Sequence, residues 1–129
     1  MTDLTPYDDD HVRLFAFVRR KEDMSREEFL AYWHTQHGPL IRDTPGLGDR
    51  TIRYHQHPAA PQDASGWDGV AMQEFASWDD FIDMLGGDAG QAMREDEANF
   101  LDSSSIKVVF TQGRVVMIDP DLPTAGSAS

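Results

Sequence analysis

The sequence has no cysteine, which excludes disulfides, thiolate metal sites and cysteine nucleophiles together and leaves the redox compartment unmarked. Cations are scarce: 11 Lys and Arg stand against 23 Asp and Glu, a formal charge of −12. A surface of that sign repels phosphate backbones and anionic lipids, so nucleic-acid and membrane-surface roles are disfavoured. No run approaches the ~18 apolar residues of a membrane span, and the amino terminus, MTDLTPYDDD, lacks the apolar core of a secretory signal. A cytoplasmic location is the expectation. Also missing are a phosphate-binding glycine loop, a dinucleotide fingerprint, a GxSxG elbow and an HExxH pair. Nicotinamide-, ATP- and serine-dependent chemistry therefore has no support.

What is present fits one domain, since 129 residues fall within the ~100–200 of a single hydrophobic core. Residues 1–10 form an acidic arm and 119–129 a tail of Asp, Pro, Ser, Gly and Ala, which leaves 11–118 as the domain. VRLFAFV (12–18) reads as a first strand. Ser25 and Glu28 form a capping box, and Phe29, Trp33, His37 and Leu40 follow at helical spacing until Gly38-Pro39 ends or kinks the helix. RTIRYHQH (50–57) alternates as a second strand, and GVAMQEFA (69–76) is a third. Ser77 with Asp80 opens a short helix, a further helix runs through about 89–100, and IKVVFTQGRVVMI (106–118) is a fourth strand with Gly113 as a bulge or bend.

Two β-α-β-like halves predict an α+β fold of the split βαβ, ferredoxin-like kind, with a four-stranded antiparallel sheet and helices on one face. The first strand is apolar on both sides, with Leu14, Ala16 and Val18 on one and Phe15 and Phe17 on the other, and the fourth strand repeats this. A sheet covered on one face only should be polar on the other. Face-to-face packing of two copies, a homodimer, would cover the second apolar face. Acidic runs such as Asp79-Asp80 and Glu95-Asp96-Glu97 read as solvated faces.

Arg20, MSREEFLAYWHTQHGPL (24–40), Arg53-Tyr54, DGVAMQEFASWDDF (68–81) and NFLDSSS (99–105) together resemble the EthD family over about residues 12–118. The resemblance implies a homodimeric α/β barrel in which each protomer keeps a pocket between its sheet and helices. It also implies small-molecule chemistry: fungal relatives are linked to decarboxylation or dehydration of aromatic polyketides, and the wider superfamily includes isomerases, cyclases, cofactor-free oxygenases and haem enzymes. His55 and His57 depart from the family's pattern in the second strand.

His37 shares a helical stripe with Phe29 and Trp33, which aims an imidazole at an apolar interior, where it would serve as general acid or base or else cap the helix end. Tyr54 and Arg53 lie on opposite faces of their strand, so one of them faces a given pocket. A phenol there would hold or protonate a carbonyl, a guanidinium would neutralise an oxyanion. Trp33, Phe15, Phe17 and Phe81 offer apolar and aromatic walls, and Arg53 and His55 are further substrate-binding candidates. His34 with His37, and His55 with His57, have no complete ligand set at a diagnostic spacing, so no metal is expected.

Three readings follow. The first is an enzyme that isomerises, cyclises, dehydrates or decarboxylates a small cyclic or aromatic substrate by side-chain acid–base chemistry and without a cofactor, His37 moving the proton and Tyr54 holding a carbonyl. The second is a cofactor-independent oxygenase acting on a phenol. The third is a non-catalytic ligand-binding accessory of an oxidation system.

Overall fold

A computed structural model describes residues 7–122; the outer parts of both expected arms, 1–6 and 123–129, lie outside the described residues. Four strands, β1 (Tyr7–Val18), β2 (Arg53–Pro58), β3 (Gly69–Phe75) and β4 (Lys107–Arg114), form one sheet in the order β2-β3-β1-β4, every neighbouring pair antiparallel. β1 and β2 thus run parallel with β3 between them, and β3 and β4 run parallel with β1 between them, which is the expected split βαβ, ferredoxin-like arrangement. β1 begins earlier than the sequence suggests, so Tyr7 to Asp10 of the acidic arm belong to the strand. Its register against β4 shifts between Tyr7 and Val12, opposite Gly113, whose φ of 70° is the left-handed conformation that a bend there requires.

Four α-helices cover one face of this sheet: α1 (Arg26–Tyr32), α2 (Gly38–Asp43), α3 (Trp78–Gly86) and α4 (Asp88–Glu97). The capping box is made in both directions, Glu28 N–H to Ser25 Oγ at 3.1 Å and Ser25 N–H to Glu28 Oε1 at 3.0 Å, which fixes where α1 starts. Ser77 caps α3 through its side chain alone, its Oγ accepting from Asp80 N–H at 3.2 Å.

Gly38-Pro39 does not end the first helix. Between α1 and α2 the chain makes a π-helical turn, Trp33–His37, and the Gly38 N–H reaches back five residues to the Trp33 carbonyl. A proline ring crowds the carbonyl four residues before it, here Thr35, and supplies no N–H. Widening the turn by one residue relieves that conflict and lets the helix continue.

The core lies between sheet and helices in two clusters. Phe29, Trp33, Phe100, Leu101 and Val18 form one, and Ile41, Leu47, Phe75, Phe81, Met84 and Met93 the other. Phe29 is completely buried, and truncating such a side chain costs about 3–5 kcal/mol. Trp33 lies directly on Gly69 of β3, where an added Cβ would stand 2.7 Å from the indole ring. Glycine is what allows that approach.

Candidate active site

Between the two clusters a cavity of about 280 Å³ remains, lined by Leu14, Ala16 and Val18 of β1, Ala71 and Gln73 of β3, Tyr54 of β2, Trp33 and His37 of the π turn, and residues of α3, α4 and β4. Its lining is mostly apolar, and its volume is at the lower end of small-molecule sites. Arg94, Val108 and Phe110 are exposed lining residues, which puts the mouth between α4 and β4. A second, more open cleft of about 480 Å³ runs along the edge strand β2 and α2 and shares Tyr54 and Ile41 with the cavity.

His37 is buried, its ring against Phe100 with centroids 4.7 Å apart. Its Nδ1 lies 2.8 Å from Asp96 Oδ2. Burial holds the imidazole below its ordinary pKa, and the hydrogen bond and charge of Asp96 offset that only in part. The ring is therefore neutral at neutral pH. Burial also works against charge on Asp96, but hydrogen bonds from Tyr32, His37 and Asn99 outweigh it and hold that carboxyl below the usual range. An ionised carboxylate only accepts. Nδ1 must then carry the proton, leaving the Nε2 lone pair free to act as a base.

Tyr32 completes the support, donating to Asp96 Oδ1 at 2.5 Å, and Asn99 Nδ2 donates to the same oxygen at 3.1 Å. Asp96 is thus a positioning group with three donors.

Tyr54 reaches the cavity from β2, and burial pushes its pKa up to about 12 against the hydrogen bond from Gln56. The hydroxyl accepts from Gln56 Nε2 at 2.8 Å. Its own proton remains available to an oxygen in the cavity. Gln56 also donates to the Trp33 carbonyl at 2.8 Å and meets His34 Nδ1 through Oε1 at 2.6 Å, so one side chain ties Tyr54 to the widened turn. This engagement turns His34 outward, where it is exposed.

Glu97, one residue after Asp96, also lines the cavity. Among the described residues its carboxylate has no hydrogen-bond partner. Burial raises its pKa to about 7, the Arg94 charge opposing and Asp96 adding.

The structure brings together four of the expected site residues: His37, Tyr54, Trp33 and Phe81 all line the cavity. Four others are absent from its walls. Phe15 and Phe17 alternate with the cavity-lining Leu14, Ala16 and Val18, and so point from the opposite face of the sheet. Arg53 and His55 occupy that same outer face, Arg53 donating to Glu74 Oε1 at 2.9 Å and His55 standing exposed with its ring 5.8 Å from that of His57. Of the two second-strand candidates Tyr54 lines the cavity, whereas Arg53 lines the open cleft along β2 and α2.

Asp96, Glu97 and Gln56 were not among the candidates read from the sequence. The run Glu95-Asp96-Glu97 reads as solvated, yet its last two members sit three and four residues after Met93 and four and three before Phe100, both buried. Apolar neighbours at both ends of a helical stripe are the signal that places them inward. Among the described residues no group of three or more His, Cys, Asp or Glu is arranged to hold a metal ion, and no helix is long and apolar enough to cross a membrane.

A family model and several solved structures resemble this chain. The EthD domain model matches residues 21–104. A dimeric protein of unknown function with a ferredoxin-like fold from Bacteroides fragilis superposes with a TM-score of 0.63 at 15% identity, over 84% of this chain and 99% of that one. An EthD family protein from Bacillus halodurans gives 0.62 at 18% identity, over 79% and 97%. The hydroxynitrile lyase of Passiflora edulis gives 0.62 at 17% identity, over 89% and 99%. No curated protein matches the sequence. At these identities the superpositions carry the fold, not the chemistry.

Proposed function

The chain belongs to the EthD family, whose domain model spans most of its length, and on that premise we propose that it is an enzyme acting by side-chain acid–base chemistry on a small cyclic or aromatic molecule. The reaction class is isomerisation, cyclisation, dehydration or decarboxylation. The observation that carries this reading is the buried His37 on the wall of a mostly apolar cavity, its Nδ1 2.8 Å from Asp96 Oδ2 and its Nε2 without a hydrogen bond among the described residues. Nε2 takes a proton from a carbon or hydroxyl of the substrate, and the imidazolium so formed is stabilised by the Asp96 carboxylate 2.8 Å from Nδ1. Tyr54 donates to the substrate oxygen on which charge develops, its proton retained because burial keeps the phenol far from ionising. Apolar walls and Trp33 hold the ring.

The test is His37→Gln, which keeps a polar side chain of similar size. On a compound that the protein turns over, kcat should fall by ~10²-fold or more with the fold intact. Near-normal turnover would leave His37 a structural residue and favour a ligand-binding role.

The working unit in this proposal is a homodimer packed through the outer face of the sheet. Phe15, Phe17, Val70 and Met72 lie there only partly covered, beside the exposed Val109, and the ferredoxin-like relative from Bacteroides fragilis is dimeric. Light scattering should report twice the 14.5 kDa chain mass; a monodisperse monomer would refute the arrangement.

A further inference from the structure

The chemistry above engages His37 and Tyr54 and leaves Glu97 without a task. Its carboxyl lines the same cavity, has no hydrogen-bond partner among the described residues, and stands near enough to Tyr54 to act on that phenol's ionisation. A half-buried carboxyl with no donor to accept from is stabilised in its neutral form, and a neutral acid is a donor in need of an acceptor. We propose that Glu97 is a second catalytic residue, which donates first a hydrogen bond and then its proton to a carbonyl oxygen, so that the cavity takes neutral carbonyl compounds rather than carboxylates. The proposal rests on the reading of His37 as the base.

The choice of a neutral ligand follows from the lining. Arg94 is the one permanent cation among the described lining residues, and it already donates to the Leu85 carbonyl at 3.0 Å. A carboxylate ligand would meet Glu97, with ionised Asp96 next to it. A ketone or aldehyde oxygen meets two donors, Tyr54 and Glu97.

The step balances. His37 Nε2 removes a proton from the carbon beside the carbonyl; the C–H electron pair becomes the new C=C bond and the carbonyl π pair moves to oxygen. That oxygen forms an O–H bond with the Glu97 proton, leaving a neutral enol, an imidazolium and a carboxylate. Delivery of the imidazolium proton to carbon and return of the enol proton to Glu97 restores both groups. The groups facing Glu97 are Arg94 and Asp96 from its own helix, Tyr54 from β2 and His37 from the π turn. His37 is held below its ordinary value and Tyr54 at about 12, which leaves Glu97, at about 7, as the group of this set whose titration is centred on neutral pH.

Acetophenone, an aryl ketone with no titratable group, is a suitable probe. Its Kd for the unsubstituted protein should weaken about tenfold or more between pH 6.5 and 8.5, because only the protonated fraction of Glu97 is competent to donate. In Glu97→Gln the Kd should be flat over that range. In His37→Gln the pH dependence should persist, so failure of the His37 reading and failure of this one are distinguishable. The δ-carbon-13 resonance of Glu97 gives the same answer without a variant: its titration near pH 7 should move to higher pH in saturating acetophenone. A pH-independent Kd in the unsubstituted protein, the same slope in Glu97→Gln, an unmoved titration, or no binding at all would each overturn the proposal.

Discussion

Glu74 and Glu97 are two glutamates on opposite faces of one sheet, the first buried and the second half-buried, and the difference between them lies chiefly in their partners. Glu74, on the outer face of β3, is almost wholly buried and accepts from His11 Nδ1 at 2.7 Å, Arg13 Nη2 at 3.2 Å and Arg53 Nη1 at 2.9 Å. Burial works against its charge, but the hydrogen bonds from His11 and Arg53 and the charges of Arg13 and Arg53 prevail, holding its pKa below the ordinary value. Glu97, on the helix face, has burial without those donors, and its pKa rises to about 7. The same side chain is structural where its acceptors are saturated and reactive where they are not.

The largest effect should come from breaking the saturated side. Glu74→Ala removes the shared acceptor of Arg13 and Arg53, leaving Arg13, itself buried, to lose its carboxylate partner. Removing one member of such a buried pair costs about 3–5 kcal/mol. Urea denaturation should show that loss; a change within ~0.5 kcal/mol, typical of a surface substitution, would mean that the cluster is not withdrawn from water in solution.

A smaller effect of distinctive sign is expected on the other side. The folded pKa of Glu97, about 7, lies above the unfolded value of ~4.3. Its contribution to stability is then fully present below about pH 4.3 and is lost as pH rises through about 7. For Glu74 the sign reverses: its folded pKa is depressed, so its contribution is present above the unfolded value and is lost as pH falls through the folded one. Glu97→Gln should therefore erase a loss of roughly 2–3 kcal/mol between pH 5 and pH 8. Identical pH dependence of unfolding in the two chains would remove the distinction between the two glutamates.

The contrast also separates what was legible in the sequence from what was not. Local rules carried the capping box at Ser25, the serine cap at Ser77, the presence of four strands and the bend at Gly113, because each depends on residues a few positions apart, although β4 ends at Arg114 and not at 118. The stripe of Phe29, Trp33 and His37 led correctly to a buried imidazole, even though Pro39 imposes a π turn that simple helical spacing does not contain. Alternation in β1 separated Phe15 and Phe17 from Leu14 and Ala16 but could not say which set faces the helices, since both are apolar. In β2, likewise, Tyr54 and Arg53 were separable but not assignable. What escaped were partners far apart in the chain. Asp96 and His37 are 59 residues apart, and nothing local to either announces the other. The acidic run around Glu97 has the composition of a solvated face, and only its phase relative to Met93 and Phe100 places two of its members inside.

Whether His37 can act as the base is decided by its protonation state, which is measurable without a substrate. Nitrogen-15 spectra of the imidazole at neutral pH should show a neutral ring with its proton on Nδ1 and an unprotonated Nε2, titrating below the ordinary value of ~6.5. Asp96→Asn should disturb that tautomer preference. A ring protonated at neutral pH, or a neutral ring carrying its proton on Nε2, would contradict the assignment of His37 as the base.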